Sequence, residues 1–367
     1  MNSTARAARE GESPPLMRRA LELAREGWGQ TAPNPMVGAV VVRDGHIVGE
    51  GYHAGFGEAH AEVVALRAAG DRARGATLYV TLEPCRHHGK TPPCTDAILA
   101  AGIRRVVMAV ADPTRQAAGG AAVLRERGVE VESGMLEAEA RELNAPFFHA
   151  VAGDLPWTTL KLAVSIETAI SSARGTTTWL TSPESRAAVH HLRSGHDAIA
   201  VGVGTVLADD PKLTVRDVRP PRVPPTRVIF DRGLRTPLAS AVVATARETP
   251  TLIVTADAST TRAAALRAAG VEVIPATDLR DGFRQLRAAG IRSLIVEGGA
   301  TIAGAVRAEK LAHRLVIFQA PVALGPDALH AFDGALPSVL RDLERYPVLD
   351  RKTLGPDVMT TYALTES

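Results

Sequence analysis

The hydrophobic positions in the first half of the chain alternate between strand-like runs and stretches with helical spacing. Asp44-Gly45 separates two strand-like runs and is a strong hairpin signal. Gly70 follows an alanine-rich helical run as a C-cap. The predicted elements are, in order, helix 17–25, strands 37–42 and 46–50, helix 61–69, strand 76–82, helix 95–101, strand 103–110, helix 121–127 and strand 129–131. This order indicates one α/β layer sandwich.

A domain boundary is expected near residues 144–156, and a second α/β series follows it. Its first helix has Ser182 as the N-cap and Pro183 at the first helical position. Further strands are predicted at 158–164, 198–203, 227–230, 252–255, 271–274, 293–296 and 315–319, and further helices at 262–269 and 283–289. We therefore expect two α/β domains, residues 1–149 and 150–367, each large enough to bury a core.

The composition is that of an ordinary globular protein, with 46% hydrophobic residues in a chain of 367. Its 42 Lys and Arg residues nearly balance 40 Asp and Glu residues without a basic block, which argues against nucleic acid as a partner. No apolar run approaches the roughly 18 residues of a membrane span, so no membrane association is expected. The charged stretch through Arg25, with Pro14 and Pro15, does not resemble a secretory signal.

The only two cysteines, Cys85 and Cys94, each follow a proline, and the segment His60-Ala61-Glu62 precedes them. Two thiolates and one imidazole are a ligand set of catalytic zinc, which keeps its fourth position for water. The pattern H-x-E followed by P-C and a second cysteine is that of zinc deaminases, in which the glutamate is not a ligand. The alternatives are a disulfide, or two buried structural cysteines with a surface histidine and glutamate.

Helix termini explain how His60 and Glu62 can share one site. Residues i and i+2 point about 200° apart on a helix, so the two side chains diverge in its middle. We therefore expect the metal to lie off the N-terminus of helix 61–69, where the side chains of the first turn converge. Cys94 directly precedes helix 95–101, and a helix N-terminus lowers the pKa of a thiol and favours the ligating thiolate. Thiolate ligands suit a reducing cytoplasm, where we expect the protein.

Three segments narrow the class of deaminase: 33–38 (PNPMVG), 49–53 (GEGYH) and 81–94 (TLEPCRHHGKTPPC). They strongly resemble the bifunctional riboflavin-biosynthesis deaminase/reductase family. Nucleic-acid and free-cytidine deaminases usually space their cysteines as C-x-x-C, whereas eight residues separate the cysteines here. The longer loop carries a lysine, which suits a ribose phosphate.

The resemblance implies a cytidine-deaminase-like α/β/α layer sandwich for the N-terminal domain. It implies that zinc is held by His60, Cys85 and Cys94 and that Glu62 moves the proton. The residues that it implies for the pyrimidine ribosyl-phosphate substrate are Asn34, His53, His87 and Lys90.

The second half carries weaker signals. The segment 202–207 (GVGTVL) begins like a dinucleotide fingerprint but has leucine at the third glycine position, so a Rossmann interpretation fails. In 293–302 (SLIVEGGATI) an apolar strand meets paired glycines and a helix start, which lets backbone amides approach a phosphate, although a tight turn alone explains the pattern as well. The segments 177–182 (TTWLTS), 205–216 (TVLADDPKLTVR) and 297–299 (EGG) resemble the reductase of the same family.

That resemblance implies a dihydrofolate-reductase-like α/β domain that uses NADPH. The implied cofactor-binding residues are Val164, Trp179, Thr205, Gly298, Gly299, Ala300 and Thr301. The implied residues at the ribosyl phosphate are Lys161, Thr177, Arg193, Asp209, Leu213, Arg216 and Glu297. The two arginines of this set suit bidentate clamping of a phosphate.

Two departures from the family pattern concern the reductase half. The family usually has Ser-Leu-Asp-Gly followed by a basic residue, whereas residues 165–169 read SIETA. Loss of the glycine is expected to exclude a positive-φ backbone at that turn. Arg232 stands where the family favours a small serine at the cofactor, and an arginine there either reaches the 2′-phosphate of the cofactor or obstructs it.

These patterns lead to one functional interpretation. We expect a zinc-dependent deaminase of the diaminopyrimidinone ribosyl phosphate joined to an NADPH-dependent reductase of its ribosyl group. The partners are small-molecule pyrimidine ribosyl phosphates, and a homo-oligomer is expected. The alternatives are a nucleic-acid deaminase, and a deaminase whose C-terminal domain only binds nucleotide or mediates assembly.

Overall fold

The computed structural model describes residues 3–88, 92–173, 180–332 and 345–365. The chain divides into two compact units, Met1–Ala152 and Gly153–Ser367. The boundary expected at 149/150 falls inside the helix that ends the first unit. Across the described ranges, no helix is both long and apolar enough to cross a bilayer.

The first unit contains a five-stranded sheet and helices on both of its faces. Its elements are α1 (Ser3–Arg25), β1 (Gly38–Arg43), β2 (His46–Tyr52), α2 (Ala61–Ala69), a 3-10 turn (Gly70–Ala73), β3 (Thr77–Val80), α3 (Cys94–Ala100), β4 (Arg105–Met108), α4 (Gly120–Glu126), β5 (Glu130–Ser133), α5 (Glu137–Leu143) and α6 (Ala145–Ala152). The strand order is β2-β1-β3-β4-β5. β1 is antiparallel to β2 and β3, while β3, β4 and β5 are parallel.

Alternate residues of these strands face opposite layers, as the two-residue period of a strand requires. Val41 lies on one face of the sheet and packs, with the other residues of that face, against α2, α3 and α4. Ile98 of α3 is fully buried in this layer. Val40, on the other face, packs with Met17 of α1 and Ala140 of α5. The first unit is therefore the three-layer α/β/α sandwich expected from the sequence.

Local signals located most elements of this unit, and two expectations need correction. The hairpin at Asp44-Gly45 is confirmed, with both residues at positive φ as a type I′ turn requires. Helix α1 begins at Ser3 rather than at residue 17 and runs through Pro14 and Pro15. The φ fixed by a proline ring is itself helical, but neither proline can donate an intrahelical hydrogen bond. Residues 145–152, expected as part of a boundary segment, form α6.

The second unit is built on a nine-stranded sheet. Its elements are β6 (Trp157–Val164), β7 (Ala169–Ser171), α7 (Pro183–Ser194), β8 (Ala198–Gly202), α8 (Val203–Asp209), β9 (Thr226–Phe230), α9 (Ala241–Ala244), β10 (Thr251–Thr255), α10 (Thr261–Ala268), β11 (Glu272–Pro275), α11 (Leu279–Ala288), β12 (Ser293–Glu297), α12 (Ala300–Ala308), β13 (Arg314–Gln319), β14 (Leu329–His330), β15 (Val348–Leu354) and β16 (Asp357–Ala363). The strand order is β11-β10-β9-β8-β12-β6-β13-β16-β15, and β7 pairs separately with β14.

The strands from β11 to β13 are parallel, and both faces of this part of the sheet are covered. Phe283 of α11 and Val306 of α12 pack on one face. Val206 of α8, Val242 of α9 and Leu266 of α10 pack on the other. The carboxyl ends of the parallel strands lie along one edge, which is where open α/β sheets bind ligands.

The turn at 165–169 contradicts one expectation. Thr168 has a φ of 65°, so the turn keeps a positive-φ residue although glycine is absent. The Glu167 carboxylate accepts hydrogen bonds from Leu324 N at 2.7 Å and Gly325 N at 3.4 Å, and Thr168 O accepts from Ala331 N. These bonds to a distant loop offset the local cost of the left-handed conformation at Thr168.

Candidate functional site

His60, Cys85 and Cys94 meet in the first unit, and their ligand atoms all lie within 4.8 Å of one another. His60 Nδ1 is 3.2 Å from Cys94 Sγ and 3.6 Å from Cys85 Sγ. Zinc bound tetrahedrally at about 2.3 Å from sulfur and about 2.0 Å from nitrogen would separate nitrogen and sulfur ligands by about 3.5 Å. Both cysteines are free and buried. The trio therefore fits a zinc ion, and the disulfide alternative is wrong.

Two helix N-termini bring the trio together, as the sequence indicated. His60 is the N-cap of α2, and Cys94 is the first residue of α3. Cys85 follows β3 and receives a hydrogen bond from Cys94 N at 3.4 Å. A hydrogen bond from the Cys94 thiol lowers the pKa of the Cys85 thiol, which is therefore the more readily ionised sulfur of the pair.

Glu62 lies in the first turn of α2 and is only 4% exposed. Burial raises the pKa of its carboxyl group, while the neighbouring His60 lowers it. A carboxyl group with a raised pKa beside a metal site is suited to both accepting and donating a proton. This burial excludes the alternative of a surface glutamate.

Asn34 and His53 lie next to the trio. The rings of His53 and His60 meet edge to face with their centroids 5.4 Å apart. His53 Nδ1 is 3.2 Å from Ala59 O, which only accepts, so Nδ1 carries the proton and Nε2 accepts from Asn34 Nδ2 at 3.4 Å. Burial lowers the pKa of His53, which keeps the ring neutral. Asn144 holds the backbone near Asn34 through two hydrogen bonds with Met36. Met36 N donates to Asn144 Oδ1 at 2.8 Å, and Asn144 Nδ2 donates to Met36 O at 2.9 Å.

Glu83 is a supporting residue that the sequence analysis did not single out. It is 7% exposed and accepts backbone N–H bonds from Asp112 at 3.2 Å, Gly119 at 3.1 Å and Ala121 at 2.9 Å. These bonds hold the segment 112–121 against the strand end that leads into Cys85. The signal was present in the TLEPC segment, but a glutamate before Pro-Cys does not reveal which backbone it binds.

The other two residues implied for the deaminase substrate are His87 and Lys90. His87 is exposed on the loop after Cys85. Lys90 lies outside the described residues, so its predicted phosphate contact stays a prediction.

The second unit has a large cleft, about 1120 Å³ in volume, at the carboxyl ends of its parallel strands. Glu297, at the end of β12, lies between two cations in this cleft. Arg193 donates to its two carboxylate oxygens at 2.5 and 3.0 Å, and Lys161 Nζ lies 3.5 Å from Oε2. Burial alone would raise the pKa of Glu297, but the two cations outweigh it and lower the pKa to about 2. Burial lowers the pKa of Lys161.

Three of the five N–H donors of Arg193 are bonded within the protein. Its Nε and Nη2 bind Glu297, and its Nη1 donates to Thr214 O at 2.9 Å. Arg216 donates one bond to Thr214 Oγ1 at 3.0 Å and is exposed in the cleft. Arg193 therefore positions Glu297 and the 214–216 segment, and its predicted contact with the ribosyl phosphate stays a prediction. Arg216 is available to a phosphate.

The paired glycines form the turn between β12 and α12, with Gly299 as the N-cap of that helix. A Cβ on Gly298 would lie 1.9 Å from Ile302 Cγ2, so this close approach requires glycine. Gly299 lies beside Thr205, whose hydroxyl would be 3.8 Å from a Cβ at that position. The predicted passage from an apolar strand through paired glycines to a helix start is confirmed, and the contact of its backbone amides with a phosphate stays a prediction.

The cleft brings together most of the residues implied for the reductase. Its lining includes Lys161, Arg193, Thr205, Asp209, Leu213, Arg216, Glu297, Gly298, Gly299, Ala300 and Thr301. Val164 instead packs in the hydrophobic core, and its neighbour Ala163 lines the cleft. Thr177 and Trp179 lie outside the described residues.

Comparisons with known proteins give matches in both units. Residues 156–354 match the family model described as the RibD C-terminal domain, and residues 12–110 match the cytidine and deoxycytidylate deaminase zinc-binding region. The riboflavin biosynthesis protein RibD of Aquifex aeolicus (strain VF5) is 46% identical over 312 residues, covering 84% of this chain and 87% of that protein. This chain belongs to the RibD family.

Other RibD proteins extend the similarity over nearly the whole chain. RibD of Bacillus amyloliquefaciens is 42% identical, with 94% of each chain covered. The structure of Acinetobacter baumannii RibD (form 1) has a TM-score of 0.84 at 34% identity and covers 97% of this chain and 99% of its own. A Thermotoga maritima diaminohydroxyphosphoribosylaminopyrimidine deaminase/5-amino-6-(5-phosphoribosylamino)uracil reductase also has a TM-score of 0.84 at 34% identity, with 96% and 99% covered. The predicted fold, a deaminase-like domain followed by a RibD reductase domain, is confirmed.

Proposed function

We propose that His60, Cys85 and Cys94 hold the zinc of a deaminase site and that the cleft of the second unit reduces the deaminated product. As a RibD protein, the chain is a bifunctional deaminase and reductase of riboflavin biosynthesis, with a zinc-binding deaminase domain and an NADPH-dependent reductase domain. The observation that carries the deaminase assignment is the His60–Cys85–Cys94 cluster beside a buried, non-ligating Glu62. Zinc bound there would lower the pKa of water and supply a hydroxide nucleophile near neutral pH.

The first-unit side chains divide the remaining tasks of the deamination. Glu62 takes one proton from the attacking water and delivers it to the ring nitrogen. It then takes the second proton, from the resulting hydroxyl group, and delivers it to the amino group, which leaves as ammonia when its bond to carbon breaks. Asn34 and neutral His53 orient the pyrimidine, because their hydrogen bond fixes the amide and the imidazole relative to each other. We propose 2,5-diamino-6-ribosylamino-4(3H)-pyrimidinone 5′-phosphate as the substrate, with His87 and Lys90 at its ribosyl phosphate.

In the second unit the charges around Glu297 organise the reductase end of the cleft. We propose that NADPH bound in this cleft would supply the hydride for reduction of the ribosyl group at C1′ to the ribityl product. Glu297 is an anion at neutral pH, so it orients Lys161 and Arg193 rather than donating a proton itself. Arg216 binds the 5′-phosphate of the substrate as a cation. The paired-glycine turn receives the cofactor pyrophosphate.

A coupled assay tests both halves of this proposal. Zinc-loaded protein is incubated with the diaminopyrimidinone ribosyl phosphate, and ammonia release is measured before NADPH is added and its oxidation followed. We expect ammonia without NADPH, and NADPH oxidation only after deamination. A protein that releases ammonia but never oxidises NADPH would refute the reductase half, and the reverse result would refute the deaminase half.

The same proposal extends to partners and location. We propose that the substrates are small molecules, that neither nucleic acid nor a membrane is a partner, that the protein is a homo-oligomer and that it works in the cytoplasm. Two free cysteines suit a reducing compartment. A gel shift with tRNA or single-stranded DNA tests the first point, and sedimentation of the purified protein tests the assembly.

A further inference from the structure

A pair of arginines lines the cleft of the second unit at a distance from the Glu297 cluster. Arg232 and Arg235 follow β9, and both are exposed. Among the described residues, neither guanidinium makes a hydrogen bond or an ion pair, in contrast to Arg193. The chain therefore presents two unneutralised cations in this cleft.

Side-chain hydrogen bonds hold the backbone of the loop that carries this arginine pair. The buried Asp231 carboxylate accepts from Thr236 N and Oγ1, both at 2.7 Å. Arg232 O accepts from Thr255 Oγ1 at 3.1 Å, and Leu234 O accepts from Arg262 Nε at 3.3 Å. A fixed backbone reduces the entropy that the two side chains lose when they bind an anion.

The order of the strands separates the arginine pair from the reacting end. β9 is followed by β8, β12 and β6, and the last two carry Glu297 and Lys161. Three strand spacings of about 4.8 Å place β9 about 14 Å from β6. The Gly298–Gly299 turn and Thr205 line the cleft between the two ends. An extended dinucleotide fits this arrangement, with its reactive ring at one end and its adenosine at the other.

The substrate phosphate cannot serve both ends. C1′ and the 5′-phosphate belong to the same ribose, so this phosphate stays near the carbon that is reduced. Arg216 is the cation at that end, because Thr214 binds both Arg216 and Arg193. The cations beyond β9 must then meet a different anionic group.

We infer that Arg232 and Arg235 bind the 2′-phosphate of the cofactor and make the reductase selective for NADPH over NADH. This inference rests on the proposed reductase function. The 2′-phosphate is the group that distinguishes the two cofactors, and it lies on the adenosine ribose. Arginine is well suited to it because the guanidinium fork matches phosphate oxygens.

Cofactor binding tests the inference without relying on turnover. Kd values for NADPH and NADH are measured by fluorescence titration of the zinc-loaded, full-length protein. The variants are Arg232→Gln, Arg235→Gln and the double variant. Arg292→Gln is the matched control, because Arg292 is exposed at the amino end of β12, away from the cleft. We expect each single variant to raise the Kd for NADPH about tenfold and leave the Kd for NADH within about twofold.

Three results would overturn the inference, and they differ from one another. An unchanged ratio of NADPH to NADH affinity in the double variant would show that the pair does not bind the 2′-phosphate. A raised KM for the ribosyl-phosphate substrate with an unchanged Kd for NADPH would assign the pair to the substrate instead. Wild-type protein that binds neither nucleotide would refute the proposed reductase function itself.

Discussion

Glu297→Gln tests the charge balance of the reductase cleft. The substitution keeps the shape of the side chain but leaves Arg193 and Lys161 without their anion. The pKa of Glu297 is lowered from 4.5 to about 2, and the side chain is 9% exposed. At about 1.4 kcal/mol per pH unit, this difference corresponds to about 3 kcal/mol of folding stability at neutral pH. Breaking one partner of a buried ion pair typically costs about 3–5 kcal/mol, which agrees.

The sign of the pH dependence follows from the lowered pKa. The contribution of Glu297 is complete above pH 4.5, the value for an unperturbed glutamate, and is lost as the pH falls through about 2. At pH 3.5 the wild type should already have lost about 1.4 kcal/mol that the variant never had.

Urea unfolding of both proteins between pH 7 and pH 3.5 measures this difference. Deaminase activity serves as the control for the first unit. Adding Lys161→Met to the variant removes one of the two unpaired cations and should restore part of the stability. A Glu297→Gln protein as stable as the wild type at pH 7, or a difference that does not shrink toward pH 3.5, would refute the reasoning.

Two further substitutions test the support of the metal site. Gly120→Ala would place a Cβ 1.8 Å from Pro84 O, so we expect the backbone that leads into Cys85 to shift. The variant should then lose zinc to a competing chelator more readily than the wild type. Unchanged zinc retention would contradict this contact. Glu83→Leu leaves three backbone N–H groups, one buried and two half-buried, without an acceptor and should lower the free energy of unfolding of the first unit by about 3 kcal/mol, whereas Glu83→Gln should lose less. Equal unfolding midpoints for Glu83→Leu and the wild type would count against this role.

Local sequence signals were sufficient for much of this fold. Apolar strand runs, the Asp44-Gly45 turn and the Ser182-Pro183 helix start depend on residues close in sequence, and each lies as predicted. The metal trio was also predictable, because histidine, cysteine and glutamate at helix starts have few other uses in combination. These signals need no knowledge of tertiary contacts.

The incorrect expectations share a dependence on distant residues. Thr168 keeps a left-handed backbone because its turn is bound to residues more than 150 positions away. The bond between Arg193 and Glu297, across a separation of 104 residues, likewise has no local signal, and the predicted phosphate contact of Arg193 stays a prediction. The apolar residues of helix α6 were expected to belong to a boundary segment, because the sequence does not show what they pack against. A single sequence contains no direct signal for such contacts.

Zinc content compared with deamination in two variants tests the central claim most directly. Purified Glu62→Gln and His60→Ala are analysed for bound zinc and for ammonia release from the diaminopyrimidinone ribosyl phosphate. We expect Glu62→Gln to hold one zinc per chain while losing deamination, and His60→Ala to lose both. Loss of zinc from Glu62→Gln, or full zinc in His60→Ala, would contradict a site with three ligands and a separate proton carrier.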